Sequence, residues 1–156
     1  MSGGADAEDR RLLLLAIELS KRCVPSASAF SVGAVIVDER GAELARGFSR
    51  ELPDLPRCHA EEAALRKLLA PAAGATLYSS LEPCSRRASG KPPCTERIIA
   101  AGIGRVVIAW REPPVFVPDP SGVEVLTAAG IAVVQLPELA AAAAAVNAHL
   151  LERGRS

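Results

Sequence analysis

Four residues near the middle of the chain have the types and the spacing of a hydrolytic metal site. His59 and Glu61 are separated by one residue, and Cys84 and Cys94 follow later, each directly after a proline. Zinc takes nitrogen and sulfur ligands in a tetrahedron, and a catalytic site uses three protein ligands and leaves the fourth position for water. The sequence therefore predicts a zinc ion, Zn²⁺, held by His59, Cys84 and Cys94.

Glu61 is predicted to be the residue that moves protons. It lies two residues after His59, where a helix is expected to begin and where the helix dipole favours a carboxylate. A fourth protein ligand would close the site, so Glu61 is expected to take a proton from the attacking water and deliver it to the ring nitrogen and the leaving ammonia. The combination of His-x-Glu with Pro-Cys segments is the pattern of zinc-dependent deaminases.

The two other cysteines offer a different interpretation of the metal site. Cys58 is the nearby candidate for a fourth ligand of a closed, structural zinc site, but its adjacency to His59 would strain a tetrahedron that includes both. Cys23 and Cys58 are instead predicted to be small buried hydrophobic residues.

The loop between the two ligand cysteines narrows the choice among families of deaminase. It holds nine residues instead of the two of the short deaminase pattern, it follows Leu81-Glu82-Pro83-Cys84, and it ends in Pro92-Pro93-Cys94. In these features the chain resembles the deaminase domain of the bifunctional riboflavin-biosynthesis deaminase-reductase, within the cytidine deaminase-like superfamily. The likeness extends from residues 32–37 through His59-Ala60-Glu61 to residues 128–131. It implies a pyrimidine substrate that carries a ribosylamino-phosphate arm.

Several residues are expected to bind that substrate. Arg86, Arg87 and Lys91 lie between the ligand cysteines, where their charge-assisted hydrogen bonds would suit a phosphate. The resemblance places Ser49 and Arg86 where the family usually has histidines, and residues 28–31, which include Phe30, where it usually has Pro-Asn-Pro. The remaining candidates are Ala60, between His59 and Glu61, and two aromatic residues that are suited to stacking on a base, Phe30 and Trp110.

An alternation of strands and helices is predicted to position these residues. Helices are expected at residues 9–22, 59–69, 94–101, 122–129 and 138–151, and strands at 32–37, 43–48, 76–81, 105–110 and 131–136. This order predicts an α/β fold, a three-layer α-β-α sandwich with a mixed five-stranded sheet that begins with an antiparallel hairpin. Residues 9–152 are expected to form one deaminase domain, with a flexible N-terminus at 1–8 and a tail at 153–156.

The charge balance and the apolar content of the chain limit the kinds of partner that it is expected to bind. Eighteen basic residues balance eighteen acidic ones, so the chain lacks the positive field of proteins that track phosphate backbones, and no nucleic-acid partner is expected. The apolar run 12–17 is far shorter than the roughly 20 residues that span a bilayer, and no secretory leader is seen, which predicts a cytoplasmic protein without membrane contact. Relatives of this architecture often assemble, so a homo-oligomer, a dimer or a tetramer, is expected.

Other functions stay open at this point. The altered pocket positions are compatible with a cytidine or deoxycytidylate deaminase, or with a pyrimidine deaminase of specialised metabolism. A tRNA- or DNA-editing deaminase shares the His-x-Glu pattern, but the zero net charge and the long cysteine loop speak against it. A zinc-binding scaffold without catalysis is disfavoured by the presence of Glu61.

Overall fold

Strands and helices alternate along most of the chain in the computed structural model, which describes residues 6–87 and 91–153. The strands are β1 (Gly33–Val37), β2 (Glu43–Phe48), β3 (Thr76–Ser79), β4 (Arg105–Ile108) and β5 (Ala132–Gln135). The helices are α1 (Ala7–Ser20), α2 (Ala60–Arg66), α3 (Cys94–Ala100), α4 (Gly122–Ala128), α5 (Ala140–Ala145) and α6 (Ala148–Arg153). None of the helices in the described ranges is long and apolar enough to cross a bilayer.

The five strands form one mixed sheet in the order β2-β1-β3-β4-β5. Strand β1 runs antiparallel to both neighbours, whereas β3, β4 and β5 are parallel. The start of β1 therefore lies at the same edge of the sheet as the ends of β2, β3 and β4. This edge collects the connections that carry the predicted site residues.

Two apolar clusters cover the two faces of the sheet, as expected from the alternation of side chains along each strand. Ala34, Ile36 and Leu77 face a cluster that includes residues of α2, α3 and α4. Val35 and Tyr78 face the other cluster, which includes residues of α1 and α5. The predicted three-layer α-β-α sandwich with a mixed five-stranded sheet is confirmed.

Helix α1 is fixed at its start by a capping box. The backbone N–H of Asp9 donates to Asp6 Oδ1 at 2.8 Å, and the N–H of Asp6 donates to Asp9 Oδ2 at 3.2 Å. These bonds satisfy two amides that a helix start otherwise leaves without partners. The helix consequently begins at Ala7, two residues before its predicted start.

The prediction of one continuous helix over residues 138–151 is wrong. A 3-10 turn at Pro137–Leu139 leads into α5, and α6 begins only after Asn147. The buried side chain of Asn147 accepts from the backbone N–H of Ser31 at 2.7 Å and donates to the Ser31 carbonyl at 3.0 Å. The break thus lies where a polar side chain bonds to the loop that leads into β1.

Candidate metal centre and substrate cavity

Two helix starts bring the predicted metal ligands to one place. His59 is the extended residue directly before α2, and Cys94 is the first residue of α3, after Pro93. Proline fits this boundary because its backbone N–H is absent and its φ is already fixed. Cys84 lies in the connection after β3 and receives a hydrogen bond from the Cys94 N–H at 3.1 Å. Residues far apart in the chain thereby become neighbours.

The three side chains have the separation that a tetrahedral zinc ion requires. His59 Nδ1 lies 3.5 Å from Cys84 Sγ and 3.4 Å from Cys94 Sγ, and all three donor atoms lie within 4.8 Å of one another. Zinc–nitrogen and zinc–sulfur bonds in a tetrahedron would place nitrogen and sulfur about 3.6 Å apart. The residues present therefore fit the metal.

The electrostatics of the two cysteines suit a cation. Hydrogen bonds from Cys94 and His59 together lower the pKa of Cys84 to about 4 in spite of burial. The hydrogen bond to Cys84 and burial raise the pKa of Cys94. The thiolate is the form of cysteine that binds metal, and the lowered pKa of Cys84 favours that form.

Glu61 lies in the wall of the same site with only 4% of its surface exposed. Burial raises the pKa of its carboxyl group, while the charge on His59 acts in the opposite direction. The Ser79 hydroxyl donates a hydrogen bond to Glu61 Oε1 at 2.8 Å. A carboxyl group in such surroundings is able both to take up and to release a proton.

A cavity of about 590 Å³ opens onto this centre. His59, Glu61 and Cys84 lie in its wall, together with four of the predicted substrate-binding residues, Phe30, Ser49, Arg86 and Arg87. Its size is in the range of small-molecule sites. The cavity is therefore the place in which a substrate would meet Glu61.

Three predicted substrate-binding residues are not among those that line the cavity. Trp110 lies behind Phe30 and packs against it edge to face, with ring centroids 5.6 Å apart. Ala60, the first residue of α2, is fully buried in the apolar cluster on that face of the sheet. Lys91, the first residue of the second described range, is exposed. Their roles in binding stay predictions, as do those of the residues in the wall.

The Arg87 side chain is buried and is hydrogen-bonded to two other residues of the protein. Its side chain is 4% exposed, its Nη1 donates to Glu62 Oε1 at 2.9 Å, and its Nη2 donates to the Arg57 carbonyl at 2.9 Å. Arg86, by contrast, is exposed at the cavity wall. The two neighbouring arginines of the predicted phosphate clamp thus have different surroundings.

Ser49 is also engaged by the backbone. Its buried Oγ accepts from the Val32 N–H at 2.9 Å and lies 3.4 Å from the Val32 carbonyl, which ties the end of β2 to the start of β1. Arg50, the next residue, has φ of 60° and donates to the Val24 and Phe30 carbonyls. Together they hold the loop that carries Phe30.

Arg57 and Glu112 were missed by sequence reasoning, although both line the cavity. Arg57 precedes the Cys58-His59 pair and is exposed. Burial raises the pKa of Glu112 to about 7, and the charges of Cys84 and Glu82 act in the same direction. Both lie in irregular loops, one after β2 and one after β4, where no spacing pattern marks them.

Comparison with known proteins gives a consistent result. The diaminohydroxyphosphoribosylaminopyrimidine deaminase of Schizosaccharomyces pombe is 41% identical over 128 residues, which are 79% of this chain and 31% of that protein. The chain spans about a third of the length of the curated relatives it matches.

Solved structures agree on the fold. The diaminohydroxyphosphoribosylaminopyrimidine deaminase/5-amino-6-(5-phosphoribosylamino)uracil reductase of Thermotoga maritima superposes with a TM-score of 0.75 at 34% identity, over 89% of this chain and 39% of that one. The Aspergillus oryzae Rib2 deaminase, solved in complex with DARIPP, gives a TM-score of 0.73 over 93% of this chain and 97% of that one. At 23% identity, this second likeness shows the fold alone.

The zinc-binding half of the chain carries the family assignment. Residues 6–110 match the sequence model described as the cytidine and deoxycytidylate deaminase zinc-binding region. This range covers more than half of the chain and includes the three clustered donors and Glu61. Zinc is the metal of this family, and the chain belongs to the family defined by the cytidine and deoxycytidylate deaminase zinc-binding region.

Proposed function

We propose that the chain is a zinc-dependent hydrolytic deaminase of a small phosphorylated aminopyrimidine, close to the substrate named in its riboflavin-pathway relatives. The observation that carries this proposal is the cluster of His59, Cys84 and Cys94 beside a buried Glu61, with His59, Cys84 and Glu61 in the wall of a cavity of about 590 Å³. The 41% identity to a protein named as a deaminase of such a pyrimidine supports the substrate class.

The residues of the chain divide the reaction between them. Held by His59, Cys84 and Cys94, zinc would supply a Lewis acid that lowers the pKa of water toward neutrality. Glu61 takes one proton from the water whose oxygen bonds to the ring carbon that carries the amino group. It then delivers that proton to the ring nitrogen, and a second transfer through Glu61 accompanies cleavage of the carbon–nitrogen bond, so that ammonia leaves and a carbonyl remains.

The cavity wall offers contacts for the rest of the substrate. Arg57 and Arg86, in this wall, would bind the phosphate, and Lys91 would add a positive charge from outside the wall. Arg87 would contribute by holding the loop that carries Arg86. Phe30 would stack on the pyrimidine with Trp110 supporting it from behind, while Ser49 and Ala60 would shape the pocket next to the ring. Glu112 is placed to accept hydrogen bonds from amino or hydroxyl groups of the substrate.

The setting of the enzyme is part of the proposal. It would act in the cytoplasm on a free small molecule, without a nucleic-acid partner, as a homodimer or homotetramer. Sedimentation velocity of the zinc-loaded chain tests the assembly, and a monomer over the micromolar range would contradict it. A salt-sensitive gel shift with tRNA would contradict the absence of a nucleic-acid partner.

Ammonia release from a substrate panel tests the function. The panel holds the diaminohydroxyphosphoribosylaminopyrimidine, its dephosphorylated form, cytidine and deoxycytidylate, and the expected result is turnover of the first compound. Glu61→Gln should keep its zinc and lose about 10²–10⁴-fold in rate, the usual contribution of a general acid-base. Turnover of cytidine compounds alone would refute the proposed substrate. If no compound released ammonia, the protein would be a zinc-binding scaffold without catalytic activity.

A further inference from the structure

A second buried carboxylate lies next to Glu61 and takes no part in the cavity. The Glu62 side chain is 3% exposed and is not among the residues that line the cavity. Three arginines surround it: Arg87 Nη1 lies 2.9 Å from Oε1, Arg66 Nη2 lies 3.1 Å from Oε2, and Arg97 Nη2 lies 3.6 Å from Oε2. The single negative charge of Glu62 is thus paired with the positive charges of three arginines.

The three arginines belong to three different segments of the chain. Arg66 ends α2, which starts directly after His59, and Arg97 lies on α3, which starts at Cys94. Arg87 follows Cys84 by three residues in the loop that connects the two cysteines. Glu62 itself lies on α2, directly after His59, so its pair with Arg66 stays within that helix, whereas Arg87 and Arg97 reach it from the segments that carry Cys84 and Cys94.

Arg87 also connects the network to the segment that precedes His59. Its second nitrogen, Nη2, donates to the Arg57 carbonyl at 2.9 Å, two residues before His59. The guanidinium thus bridges the cysteine loop to both sides of His59, to the residue pair before it and to the helix after it. Because the Arg87 side chain is almost fully buried, removal of Glu62 leaves its charge without a carboxylate, whereas removal of Arg87 leaves Glu62 paired with Arg66 and Arg97.

Glu62 stays ionised over the whole range in which the protein would work. Burial acts to raise the pKa of its carboxyl group, but hydrogen bonds from Arg87 and Arg66 outweigh it and bring the pKa to about 2. The network is therefore permanent and does not switch with pH near neutrality.

We propose that Glu62 is a positioning residue for the metal centre: it holds the segments that carry His59, Cys84 and Cys94 at the separation that zinc requires. The inference rests on the proposed zinc site and adds to it a residue that touches neither metal nor substrate. Groups outside the ligand set usually change metal affinity about 10–100-fold when they are lost, because they orient the ligands before the metal arrives.

The test compares zinc binding with stability in two variants. Glu62→Gln keeps the size of the side chain and removes its charge. Asp9→Asn is the matched control, since Asp9 is equally buried at 3% and pairs with Arg105 at 2.6 Å, at the beginning of β4 and away from the cavity edge. For each, the zinc dissociation constant is measured by competition with a chromogenic chelator, and the unfolding of the zinc-free protein is measured by denaturant titration.

Both variants should unfold more easily, but Glu62→Gln alone should bind zinc about 10–100-fold more weakly. A second variant, Arg87→Gln, removes one arm of the network on a loop and should weaken zinc binding in the same direction, so the test does not depend on Glu62→Gln folding well. Unchanged zinc affinity in either network variant, or equal weakening in Asp9→Asn, would overturn the inference. A wild-type chain that binds no zinc would instead refute the proposed function.

Discussion

The hydroxyl of Ser79 donates a hydrogen bond to Glu61, the proposed proton carrier. It lies 2.8 Å from Glu61 Oε1 and 2.7 Å from the Leu81 carbonyl, and its single proton serves one of them at a time. When it donates to Glu61, it stabilises the ionised carboxylate that must accept a proton from water. Burial has the opposite effect, because it raises the pKa of Glu61. The Ser79 hydrogen bond thus acts with His59 to lower the pKa of Glu61 against the effect of burial.

Replacement of Ser79 by alanine should slow the reaction without loss of the metal. A hydrogen bond to a charged group contributes about 1.5–3 kcal/mol, and 1.4 kcal/mol corresponds to tenfold in rate, so kcat should fall roughly tenfold or more. Steady-state kinetics together with zinc content per chain check this. Ser80→Ala is the control, since buried Ser80 accepts from the Gly33 N–H at 3.1 Å and should leave kcat unchanged. Equal kinetics in the two variants would contradict the role of Ser79.

Arg57 and Arg86 are the residues on which the phosphate part of the proposal is tested. Both are exposed and both line the cavity. Arg57→Ala and Arg86→Ala should each raise KM for the phosphorylated pyrimidine about tenfold or more, because a charge-assisted hydrogen bond is lost, and should change KM for the dephosphorylated compound little. Arg40→Ala, in the exposed turn between β1 and β2, is the control. Equal effects on both compounds would refute phosphate recognition.

At the scale of elements, helix α4 is fitted closely against the segment that leads to Cys84. Gly122 is the first residue of this helix, and a Cβ at this position would overlap with the Pro83 carbonyl oxygen and lie 2.9 Å from Glu82 Cγ. The buried Glu82 carboxylate in turn accepts from the backbone N–H of Val123 at 2.7 Å and from that of Glu112 at 2.9 Å. The contact therefore joins a metal-ligand segment to the loop that carries Glu112.

A methyl group at position 122 should disturb both stability and the metal site. Gly122→Ala forces backbone against backbone, and overpacking of this kind typically costs about 1–3 kcal/mol, so the midpoint of denaturant unfolding should fall and zinc should dissociate faster. Gly104→Ala is the matched control, because its Cβ would meet Gly74 Cα at 3.4 Å, an ordinary contact. If Gly122→Ala were as stable and as tightly metallated as Gly104→Ala, the close fit of α4 would play no part in the site.

Local hydrophobic periodicity predicts the order of strands and helices. The convergence of His59, Cys84 and Cys94 is predicted from the zinc-deaminase motif, although these residues are distant in the chain. Contacts between distant residues that belong to no such motif leave no pattern in the sequence. The engagement of Arg87 depends on Glu62, 25 residues away, and the break after α5 depends on a pair of residues separated by 116 positions. Both features required the fold to be known.

At the scale of the whole molecule, one buried carboxylate ties the layer of α1 to the sheet. Asp9, in the first turn of α1, accepts from Arg105 Nη2 at 2.6 Å and from the Tyr78 hydroxyl at 2.6 Å. These partners lie on β4 and β3, so a single side chain connects three elements. A bond from Arg105 lowers the pKa of Asp9 in spite of burial, and the bond from Tyr78 adds to the effect. The layer is therefore sensitive to acid.

The sign of this dependence follows from the direction of the shift. Because the pKa of Asp9 is lower in the folded state than its ordinary value of 3.8, its contribution to stability is fully present above that value and is lost as the pH falls through the folded pKa. Glu62 acts in the same direction, since its pKa falls from 4.5 to about 2. The contributions of Asp9 and Glu62 to the free energy of unfolding should be constant near neutrality and should decline below about pH 4.5.

Asp9→Asn should separate the part of this decline that belongs to the α1 layer. At pH 7 the variant should lose about 1.5–3 kcal/mol, because the charge-assisted hydrogen bonds between Arg105 and Asp9 are lost. Near pH 2 the difference from the wild type should narrow, since Asp9 is then increasingly protonated in the wild type as well. Denaturant titrations of the zinc-free protein at both pH values measure this, with Asp54→Asn, in an exposed loop, as a control expected to stay within about 0.5 kcal/mol. A difference of the same size at both pH values would show that Asp9 stabilises the layer through shape alone, without its charge.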